Sequence, residues 1–179
     1  MPSPSAASFS AIRRAERRTR RLEEYRQGLR PFALAAYDIT KEHNVGSLIR
    51  TAHATAASEV ILVGERDWSV AAARTAHLFT HLVQLPSSAA LLEHLEQRQW
   101  QLVAVERAPR AVNLFDAAYP DRPCFLVGAE LAGVPAELLD RAHLVVSIPQ
   151  WGLVPSLNLA VAGSLVLYDY LTKLHRAGR

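Results

Sequence analysis

Three short segments of this sequence contain polar and charged side chains that could hydrogen-bond a ligand. These side chains are Asn44 and Arg50 in the first segment, Glu130 in the second, and Ser156 and Asn158 in the third. Each segment follows a short apolar run that predicts a buried strand. In open parallel sheets, ligands bind outside the carboxyl ends of the strands. The three segments therefore predict one polar site at that edge of a sheet.

The third segment is the most informative part of the chain. A predicted strand at 144–148 leads into a loop containing Pro149, Gly152 and Pro155, and the loop leads into a long apolar helix. Proline fixes φ and glycine permits positive φ, so this loop can hold an irregular backbone with exposed amides and carbonyls. Such a backbone beside a helix N-terminus can bind a polar ligand. An ordinary β-to-α connection is the simpler alternative.

Taken singly, the polar residues have simpler interpretations. Asn44 is a good N-cap for a helix that starts directly after it, and Arg50 could form a surface ion pair. Glu130 could be a solvated loop acid, although a carboxylate so close to a buried strand costs desolvation unless a donor pairs with it. Gly128 and Gly133 lie five positions apart and do not form the G-x-G-x-x-G fingerprint. A Rossmann-type oxidoreductase is therefore disfavoured.

The elements that must position these segments alternate between strands and helices. Strands are predicted at 32–37, 60–63, 82–84, 101–105, 124–127 and 144–148. Helices are predicted at 45–57, 70–77, 89–99 with Ser88 as its cap, 135–140 and 157–174. Short apolar strands that alternate with helices predict an α/β fold, a mostly parallel sheet with helices on both faces.

Basic charge is concentrated at the start of the chain. Residues 1–30 contain eight arginines and three glutamates, whereas the whole chain has a net charge of +3. Residues 1–9 are predicted to be mobile, and an arginine-rich helix follows. Arginine clusters bind phosphate backbones with release of counterions. We therefore expect this arm to contact RNA, through Arg13, Arg14, Arg17, Arg18, Arg20 and Arg21. A solvated amphipathic helix is the alternative.

Composition limits the remaining possibilities. The chain has 179 residues, half of them apolar, which is enough for one packed domain at 31–179 after the arm. No apolar stretch reaches the roughly 18 residues that a membrane helix needs. With Cys124 as the only cysteine, neither an internal disulfide nor a cysteine zinc site can form, and no metal is expected. A cytoplasmic protein is predicted.

Together, the three segments resemble the motifs of the SpoU/TrmH family, the RNA ribose 2′-O-methyltransferases of the SPOUT superfamily. The first motif is matched by NVGSLIRTA at 44–52, the second by VGAELAGVP at 127–135 and the third by IPQWGLVPSLNLAVAG at 148–163. The resemblance covers 32–174, and the third motif looks most similar to the tRNA guanosine branch. It implies a C-terminal deep trefoil knot, S-adenosylmethionine as methyl donor, and a homodimer. Without the resemblance, an unknotted chain is the default expectation.

The resemblance also implies which residues hold the cofactor. In the family the cofactor is bound largely by backbone groups of the knot loops. The matching positions are Val127, Gly128, Gly133, Ile148 and Leu157. Glycine permits close approach and apolar residues supply a dry wall, as a site read by the backbone requires.

The implied reaction is attack of a ribose 2′-hydroxyl on the methyl carbon of a sulfonium. The resemblance places Arg50 nearest the nucleophile, and the family proposal makes it the base. A guanidinium has no lone pair to offer and a pKa above about 12, so we favour a role in orienting the ribose and stabilising the developing alkoxide. Asn44 is expected to hold Arg50 or the ribose. Glu130 is expected to pair with Arg50 or a partner-subunit group, and Ser156 and Asn158 to contact substrate or lock the loop.

Several alternatives stay open at this point. His43 is an alternative general base, or a solvated polar residue. Trp151 is bulky for its position and could stack on a base or pack in the dimer. A transfer RNA substrate is favoured, with a ribosomal RNA 2′-O-methyltransferase or a non-catalytic RNA-binding dimer of the same fold as alternatives.

Overall fold

The arm contains a helix, as the sequence predicts. The computed structural model describes residues 6–65, 68–154 and 156–178. The chain divides into two units, Met1–Arg30 and Pro31–Arg179. The first unit contains α1 (Ala6–Gln27), which ends directly before Gly28. Of the segment 1–9, for which the sequence predicts mobility, residues 6–9 are helical and residues 1–5 lie outside the described part.

Positive charge is displayed along α1. Its exposed arginines include Arg13, Arg17, Arg20 and Arg21. The side chains of Arg14 and Arg18 lie outside the described part of the structure. Arg20 Nε lies 3.4 Å from Glu24 Oε1 in an exposed ion pair, which stabilises the helix only weakly.

After the arm, short apolar runs form one parallel sheet. Within the described residues, its strands are β1 (Arg30–Tyr37), β2 (Ala57–Val63), β3 (Leu82–Leu85), β4 (Gln101–Val105), β5 (Val112–Asn113), β6 (Pro123–Val127) and β7 (Leu144–Ser147). Their order across the sheet is β3-β2-β1-β6-β4-β7-β5. The pairs β1–β6, β2–β3, β4–β6, β4–β7 and β5–β7 all run parallel. The carboxyl ends of these strands therefore share one edge.

Helices cover both faces of the sheet. They are α2 (Glu42–Ala54), α3 (Ser88–Arg98), α4 (Ala136–Arg141) and α5 (Leu159–Arg176). Side chains alternate across a strand, so Phe32 and Leu34 of β1 face the layer of α2 and α5, whereas Ala33 and Ala35 face the layer of α3 and α4. The predicted α/β fold is confirmed, and the knot stays a prediction. Among the described residues, none of the helices combines the length and the apolar character that a membrane crossing requires.

Aromatic rings fill the core beneath α5. Phe32, Tyr119, Phe125 and Tyr170 have ring centroids 5.3 to 6.3 Å apart, mostly in edge-to-face arrangements. Burying a side chain of this size contributes roughly 1.5 to 3 kcal/mol to the free energy of unfolding. This packing holds α5 against the sheet and so fixes the position of its N-terminus.

A buried carboxylate stabilises the opposite edge of the sheet. Glu59, near the start of β2, is fully buried and accepts hydrogen bonds from Trp100 Nε1 and Arg98. His94 Nε2 lies 3.2 Å from its Oε1. Burial raises the pKa of the neighbouring Cys124 thiol, and the charge of Glu59 raises it further. Cys124 is therefore an inert core thiol and no candidate nucleophile.

Two local predictions about helices differ from the structure. The segment 70–77 forms two 3-10 turns, Val70–Ala73 and Ala76–Leu78, and no α-helix. Arg74 separates them with φ 55°, in the left-handed region that a continuing helix cannot contain. Ser87, and not Ser88, caps α3, because Ser87 Oγ accepts a hydrogen bond from the amide of Ala90 at 3.3 Å.

Candidate active site

Asn44 links all three polar segments. Its Nδ2 donates to Glu130 Oε1 at 3.0 Å, and its Oδ1 accepts from Asn158 Nδ2 at 3.0 Å. Asn44 is 2% exposed, so this chain of hydrogen bonds is shielded from water at its centre. The convergence that the sequence predicts is therefore present in a single chain.

Asn158, and not Asn44, caps a helix. The helix α2 begins at Glu42, which places Asn44 inside its first turn, so the N-cap interpretation of Asn44 is wrong. Asn158 Oδ1 accepts from the amides of Ala160 at 2.9 Å and Val161 at 3.2 Å at the start of α5. The same side chain thus caps α5 and ties it to α2.

Glu130 closes the first turn of α2 from a distant part of the chain. Its Oε2 accepts from the amide of Thr40 at 3.1 Å and from Thr40 Oγ1 at 3.0 Å, and its Oε1 accepts from the amide of Lys41 at 3.3 Å. The N-cap residue Lys41 makes no side-chain capping bond, and Glu130 binds the backbone amides of Thr40 and Lys41 directly before the helix. Partial burial alone would raise the pKa of Glu130, but the hydrogen bonds from Thr40 and Asn44 outweigh it and lower the pKa to about 2. The carboxylate is therefore ionised at neutral pH.

A cavity of about 270 Å³ opens at the carboxyl ends of β4, β6 and β7. All five residues predicted to hold the cofactor line it: Val127, Gly128, Gly133, Ile148 and Leu157. Glu130 and Ser156 line it as well. The predicted site residues Asn44, Arg50 and Asn158 are not among its lining residues, and Asn44 and Asn158 support it from behind through the hydrogen bonds described above.

One wall of the cavity is a tight turn made of main chain. Ala129 and Gly133 exchange two backbone hydrogen bonds, at 3.1 and 2.9 Å. A Cβ atom at Gly128 would lie 2.1 Å from the carbonyl carbon of Gly133 and 2.3 Å from the amide nitrogen of Val134. Gly133 itself has φ 69°. Gly128 cannot carry another residue without movement of the backbone, and at Gly133 the positive φ and the contact of a Cβ with Glu106 Oε2 disfavour any other residue.

Glu106 and Arg107 are cavity residues that the sequence reasoning missed. Both line the cavity directly after β4. Glu106 Oε2 accepts from the amide of Val134 at 2.9 Å, and its Oε1 accepts from the amide of Arg107 at 2.8 Å. Glu106 thus fixes the turn that ends at Gly133. The signal was available, because a charged pair follows a predicted strand at 101–105 on the same edge of the sheet.

Arg50 lies outside the cavity in a single chain. It is exposed on α2, six residues after Asn44, which places it about 9 Å further along the helix. Within the described residues, its guanidinium makes no hydrogen bond or ion pair, so the expected pairing with Glu130 is wrong for contacts inside one chain. His43 lies two turns before Arg50, on the same exposed side of α2.

An exposed apolar surface on α5 lies beside α2. Val161, Leu165 and Tyr168 are 47%, 41% and 54% exposed. They line a shallow depression together with Ser47 of α2. Thr51 Oγ1 lies 2.9 Å from Ser164 Oγ and joins the two helices beside this depression. We call this surface the α2/α5 face.

The fold and the site together define a class of α/β protein. Its members have a parallel sheet with a cavity at the carboxyl ends of the strands, and here main chain forms one wall of that cavity while carboxylates line it. Comparison with known proteins identifies the group within that class. The chain belongs to the SpoU rRNA Methylase family, whose model matches residues 31–168. The family resemblance of the three motifs is thereby confirmed.

Individual relatives agree with this assignment. The chain is 32% identical over 145 residues to the tRNA (guanosine(18)-2′-O)-methyltransferase of Escherichia coli (strain K12), covering 78% of this chain and 62% of that relative. It thus spans about six tenths of the length of that curated relative. A crystal structure of an AdoMet-bound rRNA methyltransferase from Sinorhizobium meliloti is 30% identical, with a TM-score of 0.71 over 84% of this chain and 60% of that chain. The TrmH/SpoU tRNA modifying enzyme of A. aeolicus has a TM-score of 0.81 over 91% of this chain and 85% of that chain, and at 24% identity this likeness concerns the fold.

Proposed function

We propose that this protein is an S-adenosylmethionine-dependent RNA methyltransferase that methylates a ribose 2′-hydroxyl. The observation that carries the proposal is the joining of all three motifs through Asn44 beside the strand-end cavity. Membership of the SpoU rRNA Methylase family supports it. The non-catalytic RNA-binding dimer is disfavoured, because the hydrogen-bonded polar set lies beside a cavity whose lining suits a small ligand.

The lining of the cavity fits S-adenosylmethionine. Its volume of about 270 Å³ is close to the lower end of small-ligand sites, which begin near 300 Å³. Val127, Ile148 and Leu157 supply apolar surface for an adenine ring, and the turn at Gly128 allows backbone groups to approach it. Glu106 and Glu130 bring carboxylates to a ligand that carries a positive sulfonium. When bound, this cofactor supplies an electrophilic methyl group.

The residues of the chain would position the hydroxyl and stabilise the charge that develops on it. Arg50 is a donor with an exposed guanidinium, suited to hold the ribose and its phosphate and to stabilise the alkoxide. Ser156 lines the cavity and would contact the substrate, while Asn158 locks the loop that carries it. His43, on the same side of α2 as Arg50, is the alternative group to accept the proton.

A homodimer is part of the proposal. The α2/α5 face exposes three large apolar side chains on a helix that otherwise packs in the core, which is typical of a protein interface. Arg50 lies on the helix that borders this face and outside its own cavity. A second copy of the chain on this face would bring an Arg50 toward the cavity of its partner.

Transfer RNA is the favoured substrate, with guanosine as the favoured nucleotide. The similarity to the Escherichia coli relative supports this choice, and the exposed arginines of α1 suit a phosphate backbone. Ribosomal RNA is the alternative that the Sinorhizobium meliloti relative supports. The trefoil knot and a cytoplasmic location complete the proposal, the first from the motif resemblance and the second from the single cysteine.

Methyl transfer from labelled S-adenosylmethionine to purified RNA tests the proposal. Unmodified transfer RNA and ribosomal RNA would be offered side by side, and the methylated nucleotide would be mapped by mass spectrometry. We expect label on a ribose of transfer RNA. Failure to bind S-adenosylmethionine at millimolar concentration by calorimetry would instead support the non-catalytic dimer.

A further inference from the structure

We infer that Trp151 and Phe115 form a platform on which a nucleobase of the RNA substrate stacks beside the cavity. The inference rests on the proposed function and adds to it a binding site for a base that neighbours the methylated ribose. Neither residue belongs to the set that the motifs assign to cofactor or catalysis.

The two rings already stack on each other at the surface. Their centroids are 6.5 Å apart and their planes are inclined by 15°, an offset parallel arrangement. Trp151 is 84% exposed and Phe115 is 61% exposed. Large aromatic rings are normally covered, and exposed ones concentrate where a planar or apolar partner binds. This pair therefore presents flat, solvent-facing surface to a ligand.

The platform is held in place from below. Leu114, next to Phe115, is buried, and its carbonyl accepts a hydrogen bond from Lys173 Nζ at 2.6 Å. Asn113 Oδ1 accepts from the amide of Phe115 at 2.9 Å and caps the 3-10 turn Leu114–Asp116. Asn113 also pairs in register with Ser147 of β7, four residues before Trp151. Phe115 is thus preorganised, which lowers the entropy that a ligand stacking on the platform loses on binding.

The location favours a nucleobase as the occupant. Trp151 directly follows Gln150, which lines the cavity, and neighbouring Cα atoms are about 3.8 Å apart. An RNA strand with one ribose at this cavity would bring a flanking base close to the loop that holds Trp151. Bases stack on aromatic rings whatever their identity, so the platform would contribute affinity and position without reading sequence. The residues that line the α2/α5 face do not include Trp151 or Phe115, so the two proposed surfaces share none of these residues.

Binding of labelled transfer RNA to full-length variants tests the platform. Stacking on one aromatic ring contributes roughly five- to a hundredfold in affinity. We expect Trp151→Ala to weaken RNA binding about tenfold and Phe115→Ala by a smaller factor, while Trp151→Phe, which keeps a ring, stays within about threefold of the parent. Leu78→Ala removes another exposed apolar side chain, 60% exposed, and should leave RNA affinity unchanged.

Fluorescence supplies a readout that a purely structural role would not move. Trp100 is buried, Trp68 is half-buried and Trp151 is exposed, so the part of the RNA-induced quenching that Trp151→Phe removes belongs to Trp151. Unchanged RNA affinity in Trp151→Ala would overturn the platform. So would a shift of Trp151→Ala to monomer at a concentration where the parent is dimeric, because the ring would then be an interface residue.

The platform and the proposed function fail in different ways. Calorimetry should show S-adenosylmethionine binding within about twofold of the parent in Trp151→Ala, since the ring lies outside the cavity lining. A parent protein that binds neither the cofactor nor RNA would sink the proposed function itself. If the parent and Trp151→Ala methylate RNA equally well, the platform alone is refuted.

Discussion

Asn44 donates a hydrogen bond to Glu130 across 3.0 Å, although 86 positions separate the two residues in the chain. The contact joins the start of α2 to the loop after β6. The Glu130 carboxylate binds the start of α2 and also lines the cavity. The start of this helix and the shape of the cavity therefore depend on the same side chain.

Acid should weaken the protein through Glu130. The pKa of this carboxyl is lowered to about 2 in the folded state, from an ordinary value near 4.5. A lowered folded-state pKa means that the stabilisation is complete above the ordinary value and is lost as the pH falls toward 2. Glu130→Gln should therefore be less stable than the parent in urea at pH 7, and the gap should narrow between pH 5 and pH 3. A gap that is constant over this range would contradict the assignment.

Asn44→Ala provides the partner for a double-mutant cycle. Removing one member of a buried hydrogen-bonded pair costs about 1 to 3 kcal/mol in unfolding free energy. The double variant with Glu130→Gln should lose less unfolding free energy than the sum of the two single losses, by at least about 0.5 kcal/mol. The reason is that both substitutions act on one shared interaction. Strict additivity would show that the two side chains act independently.

Gly128→Ala should weaken cofactor binding strongly. The added Cβ would meet backbone atoms 2.1 to 2.3 Å away, and backbone cannot move aside as a flexible side chain can. We expect the affinity for S-adenosylmethionine, measured by calorimetry, to fall by more than about tenfold. Gly152→Ala is the matched control, since a Cβ there meets nothing within 4 Å and should leave the affinity nearly unchanged. Equal effects of the two variants would mean that the tight turn does not shape the site.

Arg50→Ala should separate binding from catalysis. Arg50 does not line the cavity of its own chain, so cofactor affinity should stay within about twofold. Removing a donor that stabilises developing charge typically costs about a hundred- to a thousandfold in rate, and methyl transfer should fall by that order. Arg50→Lys distinguishes the two roles in part. High activity of Arg50→Lys at raised pH would favour a base over the orienting role proposed for the guanidinium.

Leu165→Glu should dissociate the proposed dimer. The side chain is 41% exposed at the centre of the α2/α5 face, and a buried unpaired carboxylate opposes association. Sedimentation velocity should show a monomer where the parent sediments as a dimer, and methyl transfer should be lost with it. Ala89→Glu, on an exposed position of α3, is the control and should change neither property. A parent that is monomeric at all accessible concentrations would refute the dimer.

Neutralising the arm should flatten the salt dependence of RNA binding. The exposed residues Arg13, Arg17, Arg20 and Arg21 would be changed together to glutamine in the full chain. Each lost phosphate contact lowers the slope of log affinity against log salt by about 0.7 to 0.9. Cofactor affinity should be unchanged. An unaltered slope would assign the arm to some role other than RNA contact.

The sheet and the convergence of the motifs could be predicted because both depend on local apolar runs. Buried parallel strands such as 124–127 are nearly continuous apolar stretches, and their carboxyl ends must share an edge. The strand β5 could not be predicted, since Val112 and Asn113 are exposed and pair only because β7 lies beside them. Only the presence of β7, and no pattern in Val112 and Asn113 themselves, accounts for this strand.

The contacts of the polar residues were less predictable than their convergence. The residues before α2 are held by Glu130, which is far away in the chain, and the pattern near Asn44 does not reveal that this asparagine lies inside the helix. Glu59 is similar, because a lone acid in an apolar strand is explained only by Trp100, His94 and Arg98 from later elements. Arg50 was placed at the reaction centre by resemblance, and within one chain the structure leaves it exposed on α2.

The main-chain turn that walls the cavity has an evolutionary consequence. A site shaped by the backbone from Gly128 to Gly133 keeps its form while the surrounding side chains diverge. Replacements at rim positions such as Trp151 can then change how strongly the proposed RNA ligand binds and leave the cavity intact. Binding strength at the rim and the shape of the cavity can therefore evolve separately within one small domain.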